Sequence, residues 1–304
     1  SEDGLSWTFK LREGVKFHRD FGTLTADDVV FSLQRAADPK RSSFSSDFAN
    51  IEKVEAIDPL TVKITLKKPS SSLLYSLFNF QGGFIVSKKA VEQYGDDFRT
   101  KAVGTGPFAF DDYKASQSVT LKAHKDYFRG TPKIDKIIYR YIRSDASRDL
   151  AYTSGELDLV YGRQDQKWAE RMKGLKDTVL DVMEPAYQGT AYLNMSHKPL
   201  DDIRVRQAIA HAIDTQQVVD FKGRLVSTLP TTIFPTATLG ADPDAKLPAY
   251  DPAKAKQLLK EAGYGDGLKL KVIASQNVTS LGPAQIVQSQ LKKVGIDIEM
   301  VREG

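Results

Sequence analysis

Cysteine is absent from all 304 residues. That excludes disulfides, thiolate catalysis and Cys-ligated zinc, and it suits an oxidising compartment as well as a reducing one. Long apolar runs are missing too. The longest uncharged stretches are Ser70–Ser87, half of it polar, and Leu225–Ala241, broken by Pro230 and Pro235. Neither supplies the ~20 mainly apolar residues of a bilayer span, so no transmembrane segment is expected. Charge of one sign is scarce as well. Lys and Arg number 43 against 39 Asp and Glu, a net +4 with the signs interspersed. Nucleic acid needs a basic stripe interleaved with aromatics, so no nucleic-acid partner is expected. The 41% hydrophobic content is that of a folded globular chain, which excludes wholesale disorder.

Catalytic signatures are also lacking. Gly130-Thr-Pro-Lys has no second Gly and no Lys-Ser/Thr pair, so it is not a phosphate loop, and there is no His-Glu-x-x-His. No Gly-x-Ser-x-Gly elbow occurs. His18, His124, His197 and His211 lie far apart in sequence, which favours surface or capping roles over a metal site. The paired acids Asp27-Asp28, Asp96-Asp97, Asp111-Asp112 and Asp201-Asp202 read as helix starts and turns, where free N–H groups attract anions. A glycosidase would instead set two carboxylates across a cleft. The sequons at Asn194 and Asn277 matter only in a eukaryotic secreted protein. No catalytic residue, cofactor or metal is assigned.

What is present is an alternation of strand and helix patterns. Trp7–Leu11 alternates like a strand, and Thr61–Lys67 sets Val62, Ile64 and Leu66 on one face. Thr25 followed by Asp28 forms a capping box for a helix striped with Val29, Val30, Leu33, Ala36 and Ala37. Asp201 or Asp202 caps a helix with Val205, Ala208, Ile209, Ala212 and Ile213 inward. Asp251 and Pro252 start another, with Ala255, Leu258, Leu259 and Ala262 inward and Gly263 as its stop. A strand at Leu268–Ala274, a helix at Pro283–Val294 and a strand at Ile296–Val301 then read as βαβ with a parallel pair. The fold class is α/β. Leu225–Tyr250 is a long irregular segment. The chain is already strand-like by Trp7 and stops at Gly304 after another such run, so it reads as part of a longer protein.

Aromatics gather near polar loops. Phe44, Phe48, Phe78, Phe80 and Phe84 neighbour Ser- and Gln-rich stretches, and Tyr187 precedes Gln188 and Gly189. Apolar walls with a few polar groups suit a small-molecule or peptide pocket. Core packing is the competing role for any single ring, and both stay open.

Several segments in order resemble the bacterial extracellular solute-binding proteins of family 5, the peptide, nickel and oligopeptide class of ABC importers. Trp7-Thr-Phe-Lys-Leu-Arg-Glu-Gly-Val-Lys-Phe-His18 leads into Leu24-Thr-Ala-Asp-Asp-Val-Val-Phe-Ser32. Gly104-Thr-Gly-Pro-Phe108, Tyr127-Phe-Arg-Gly-Thr-Pro-Lys-Ile-Asp-Lys-Ile137 and Ser154-Gly-Glu-Leu-Asp158 follow. Lys198-Pro-Leu-Asp-Asp-Ile-Arg-Val-Arg-Gln-Ala-Ile209, Ala212-Ile-Asp214 and the stretch from Tyr250 to Gly263 complete the series. Dipeptide-type binders are the most similar branch.

The resemblance implies a two-lobe fold of the type II periplasmic-binding-protein kind with an extra small domain, here incomplete. Residues 1–101 would be the extra domain, 102–190 part of the first lobe and 191–304 the beginning of the second. It implies a monomer that closes over a small solute or short peptide and delivers it to permease subunits. The location implied is the periplasm, or the cell surface as a lipoprotein. A hydrolase on a two-domain α/β scaffold, or a chaperone or sensor reusing the fold, are the alternatives. Within such a cleft the ligand would meet Phe44, Phe48, Asn79, Phe80, Gln81, Tyr187, Gln188, Gly189, Gln276 and Asn277. Hinge motion would run through a strand at Thr190–Met195. With part of the clamp absent, the chain alone would bind its solute weakly or not at all. Two departures stand out. Arg19-Asp20-Phe21-Gly22 lengthens the usual Asp-Gly turn, and Ser275–Ser280 lacks the Arg that similar dipeptide binders use to hold a ligand carboxylate. An Arg fork would be the expected clamp for that group.

Overall fold

The computed structural model describes residues 1–77, 82–183, 189–235, 238, 240–242, 244–275 and 278–303, with backbone alone at 275, 278–280, 302 and 303. The chain divides into two compact units, Ser1–Asp158 and Leu159–Gly304.

In the first unit, β1 (Ser6–Lys10), β2 (Ile51–Asp58) and β3 (Thr61–Leu66) form an antiparallel sheet in the order β1-β3-β2. The β2–β3 turn is fixed by the Asp58 side chain, which accepts from the Leu60 N–H at 2.8 Å. Its Pro59 carbonyl accepts from the Ala26 N–H at 2.9 Å, one of the free donors at the start of α1 (Ala26–Ala37). The Thr25–Asp28 capping box forms as expected, with the Asp28 carboxylate accepting from the Thr25 N–H at 3.1 Å. Val29 and Leu33 of α1 pack on Val62, Ile64 and Leu66, all buried, and Phe48 closes the same core. The short helix α2 (Leu73–Leu77) adds Leu73, also buried.

Two side chains of α1, one turn apart, anchor α3 (Lys88–Tyr94). Asp28 accepts from the Lys88 N–H at 3.0 Å, and the Ser32 hydroxyl accepts from the Val86 N–H at 3.0 Å. A second antiparallel sheet follows, with β4 (Phe108–Lys114), β5 (Ser118–Ala123) and β6 (Lys136–Arg140) in chain order. The unit ends with α4 (Asp145–Thr153), capped by Ser144. Asp111-Asp112 does not open a helix or a turn as expected. The pair sits inside β4 where the register shifts, and Asp111 meets Lys122 of β5 at 2.7 Å. A bulge turns an acidic side chain outward as readily as a turn does, so the doublet itself does not separate the two.

The second unit holds α5 (Gln166–Lys173), α6 (Ile203–Ala212), α7 (Thr215–Lys222) and α8 (Pro252–Glu261). It ends in β7 (Leu268–Ser275), α9 (Val278–Lys293) and β8 (Ile296–Glu303). Asp202 caps α6 and Asp251 caps α8, each accepting a backbone N–H, at 2.8 and 2.9 Å. The inward residues of α6, with Ala255 and Leu259 of α8, join Leu268, Leu291, Val294, Ile296 and Ile298 in one core. Strands β7 and β8 pair in parallel, as the βαβ pattern requires. Helix α9 begins before the expected Pro283, which lies inside it. A proline costs one hydrogen bond there, and Gly282 beside it lets the backbone pass the Phe221 ring, where a Cβ would stand 2.6 Å away. Gln290 of α9 is 2% exposed, yet its amide accepts from Asp214 N–H at 3.1 Å and donates to the Gln217 side chain at 2.9 Å. That buried bridge ties α9 to the cap of α7. The expected hinge strand does not form, because residues 190–194 have no ladder and carry no regular structure. The described residues of 225–250 contain neither helix nor strand.

Candidate functional site: the aromatic turn and the motif cluster

The candidate cleft residues fall into two sets. Phe44 is half-buried and precedes a single 3-10 turn at Ser45–Phe48. Phe48 is 1% exposed and belongs to the core of the first sheet. Its ring lies against Gly82, where a Cβ would stand 2.6 Å from the ring edge, so only glycine fits. Phe48 therefore shapes the turn from behind, and no face of it is left for a ligand. Gly189 is exposed, with open space beside it. Asn79, Phe80, Gln81, Tyr187, Gln188, Gln276 and Asn277 lie outside the described residues. Phe44 and Phe48 are brought together; Gly189 belongs to the other unit.

The motifs of the first unit do converge. The turn after Phe17 meets the Gly104–Phe108 segment through His18, whose N–H donates to the Gly104 carbonyl at 3.0 Å. The His18 ring is 5% exposed, a correction to its expected surface role. Its Nε2 lies 2.9 Å from the Gly106 carbonyl and its Nδ1 faces the Gly104 N–H at 3.4 Å. His124 stands edge-on to it, ring centres 4.9 Å apart, and the His124 N–H donates to the Pro107 carbonyl at 2.8 Å. Spacing along the chain hides this pairing, since 106 positions separate the two histidines. His18 follows Phe17 out of phase with the buried alternation of Val15 and Phe17, so no local pattern marks it as buried.

Arg19 and Asp20 both take left-handed backbone angles, φ 58°, so the lengthened turn is a strained one. It carries Arg19 to the Phe110 carbonyl at 2.5 Å. Arg12 lies over the Phe128 ring at 5.4 Å, as does the adjacent Arg129, so Arg12 ties the start of the chain to the Tyr127–Ile137 motif. An open depression of about 650 Å³ lies beside this turn, lined by Arg19, Tyr94, Lys101, Phe110 and Asp111 among others. Two of its charges are engaged with partners, Lys101 with Asp97 at 2.9 Å and Asp111 with Lys122.

Electrostatics are local. Hydrogen bonds from Leu60 and Thr61 hold the Asp58 carboxyl below its usual range, and the Arg204 guanidinium does so for Asp202. Burial lowers Lys222, whose ammonium donates to Gln164 at 3.1 Å. Among the described residues no group of three His, Asp or Glu could hold a metal. Among them, too, no helix is long and apolar enough to cross a membrane.

The comparison with known proteins rests on the whole chain. The family model described as bacterial extracellular solute-binding proteins, family 5 Middle, matches residues 1–303. The chain belongs to that family. A glutathione-binding protein of Salmonella paratyphi A is 34% identical over 302 residues, covering 97% of this chain and 58% of its own. Among solved structures, the binding protein MoaA of Agrobacterium tumefaciens R10, in complex with mannopinic acid, superposes with a TM-score of 0.85 at 46% identity. It is matched over 99% of this chain and 61% of its own. DppA of Helicobacter pylori, in complex with the peptide STSA, gives 0.82 at 28% identity, covering 100% of this chain and 63% of its own. The chain thus spans about three-fifths of the relatives it matches. Its mixed α/β fold is that of the periplasmic binding proteins, and these family-5 relatives are named as binding proteins, not enzymes.

Proposed function

We propose that this chain is the larger part of a solute-binding subunit of an ABC import system. It captures an amino-acid-derived solute or short peptide and presents it to membrane permease subunits. The family match over residues 1–303 carries this reading. A relative named for glutathione, and similar structures in complex with mannopinic acid and with a peptide, support the ligand class. The subunit acts as a monomer in the periplasm or tethered at the cell surface. Ligand stabilises the closed clamp only by binding it better than the open one. Residues 1–101 make the extra domain, 102–190 belong to the first lobe and 191–304 to the second. The self-contained core of the first sheet supports the first of these divisions.

In this reading Tyr187, Gln188, Gly189, Gln276, Asn277, Asn79, Phe80, Gln81 and Phe44 border the ligand, with Phe48 supporting Phe44. Amides and aromatics accept a peptide-like backbone or polyol better than a bare anion. The test is calorimetry on the gene product that contains this chain, with glutathione, the peptide STSA and mannopinic acid. Saturable binding of one of them, weakened by Gln276→Ala and Tyr187→Ala without loss of stability, is expected. Unchanged affinity in both variants would remove these residues from the site.

A further inference from the structure

One imidazole holds two family motifs of the first unit together, and only one of its protonation states can do so. Gly104 N–H can only donate, so the Nδ1 that faces it at 3.4 Å is the unprotonated nitrogen. Nε2 then carries the hydrogen and donates to the Gly106 carbonyl at 2.9 Å. A second proton on His18 must go to Nδ1. There it would oppose the Gly104 N–H, donor against donor, with the ring almost fully buried.

Among the described residues nothing around the ring compensates for such a charge. Arg19, next in the chain, sets its guanidinium on the Phe110 carbonyl. His124 presents a ring edge and has its Nε2 3.3 Å from the Lys16 carbonyl, a bond that a protonated His124 would keep. Lys16 and Asp126 engage each other at 3.1 Å, and Asp20 and Lys125 are exposed. Before the Gly104 segment, Lys101 is bound to Asp97. On α3, whose Ala90 packs against Phe17 and Val103, the charged residues Lys88, Lys89 and Glu92 are exposed. Burial first, then the neighbouring His124 and Arg19, holds His18 below the usual imidazole range despite its bond to Gly106.

We propose that His18 is a proton-sensitive latch, which when neutral closes the Gly104–Phe108 segment onto the Lys16–Gly22 turn and when protonated releases it where it feeds β4. The direction follows from linkage. The closed form takes up a proton less readily than the open one, so the latch is fully closed above the usual imidazole range. It weakens as pH falls through that range toward the lowered value in the closed form.

The test uses the gene product that contains this chain and two nuclear magnetic resonance readouts. The first is the ¹⁵N spectrum of the His18 ring. The second is exchange of the His18 and Gly104 amide hydrogens from pH 7.5 to 5, corrected for intrinsic exchange chemistry. At pH 7.5 the ring should carry its hydrogen on Nε2. Below about pH 6.5 protection of both amides should fall by up to about tenfold per pH unit, while that of Ile64 in the first sheet stays constant. In His18→Gln, which cannot titrate, protection should be independent of pH. Three results would each overturn the latch: hydrogen on Nδ1, protection that holds to pH 5, or the same pH dependence in His18→Gln. Should that variant fail to fold, the wild-type protein decides alone: protection of both amides should begin to fall near the usual imidazole range and level off where the ring itself titrates, and a ring that titrates with no accompanying loss of protection would overturn the latch.

Discussion

The two three-stranded sheets of the first unit are built from similar alternating strands, and they end in different states. In the first, Val62, Ile64 and Leu66 of β3 lie under α1 and Phe48, and Ile64 is 1% exposed. In the second, the register sets Phe110, Leu121 and Ile137 in one row across the strands and Tyr113, Val119 and Tyr139 in the next row of the same face. No residue of β4–β6 is fully buried, and Tyr139 is 56% exposed. Alternation decides which face of a sheet is apolar. Burial is decided by what packs over it, and among the described residues of the first unit no helix does for this face what α1 does for the first.

That difference can be broken or sharpened by substitution, read in urea denaturation of the chain. The largest effect is expected from Ile64→Ala, which should destabilise by ~3–5 kcal/mol through the cavity it leaves. Val119→Ala, its counterpart in the second sheet, should cost under ~1 kcal/mol. Equal losses would mean that the second sheet is as well covered as the first. Within α8 the same contrast recurs at adjacent positions, since Leu259 is buried and Leu258 only partly so. Leu259→Ala should cost ~2–5 kcal/mol, and Leu258→Ala clearly less. Similar values for the two would place the helix in a different rotation. Asp28→Ala removes an acceptor from the starts of both α1 and α3, and should cost ~1–2 kcal/mol. The smallest effect belongs to the solvent face of the first sheet. Lys53 pairs with Glu55 at 2.7 Å but is exposed, so Lys53→Ala should change stability by no more than ~0.5 kcal/mol.

Legibility in the sequence followed the range of the determining contacts. The caps at Thr25, Asp202 and Asp251, the stop at Gly263 and the inward faces of α1, β3, α6 and α8 are set within a few residues, and each matches its expectation. What depends on distant partners was not readable. His18 is buried by a segment about ninety residues away, and Asp111 is placed by Lys122 on the neighbouring strand. Helix α9 runs through Pro283 in a unit where α7 supplies the Phe221 ring beside Gly282. The candidate site had the weakest local signal. Loop aromatics serve core and ligand with the same side chain, and Phe48 went to the core.

The most direct test of solute binding is equilibrium dialysis of the gene product that contains this chain against glutathione, the peptide STSA and mannopinic acid, with each solute analysed afterwards by mass spectrometry. One solute retained at one molecule per protein and recovered chemically unchanged is the expected result. Conversion of any of them, or retention of none, would contradict the binding function.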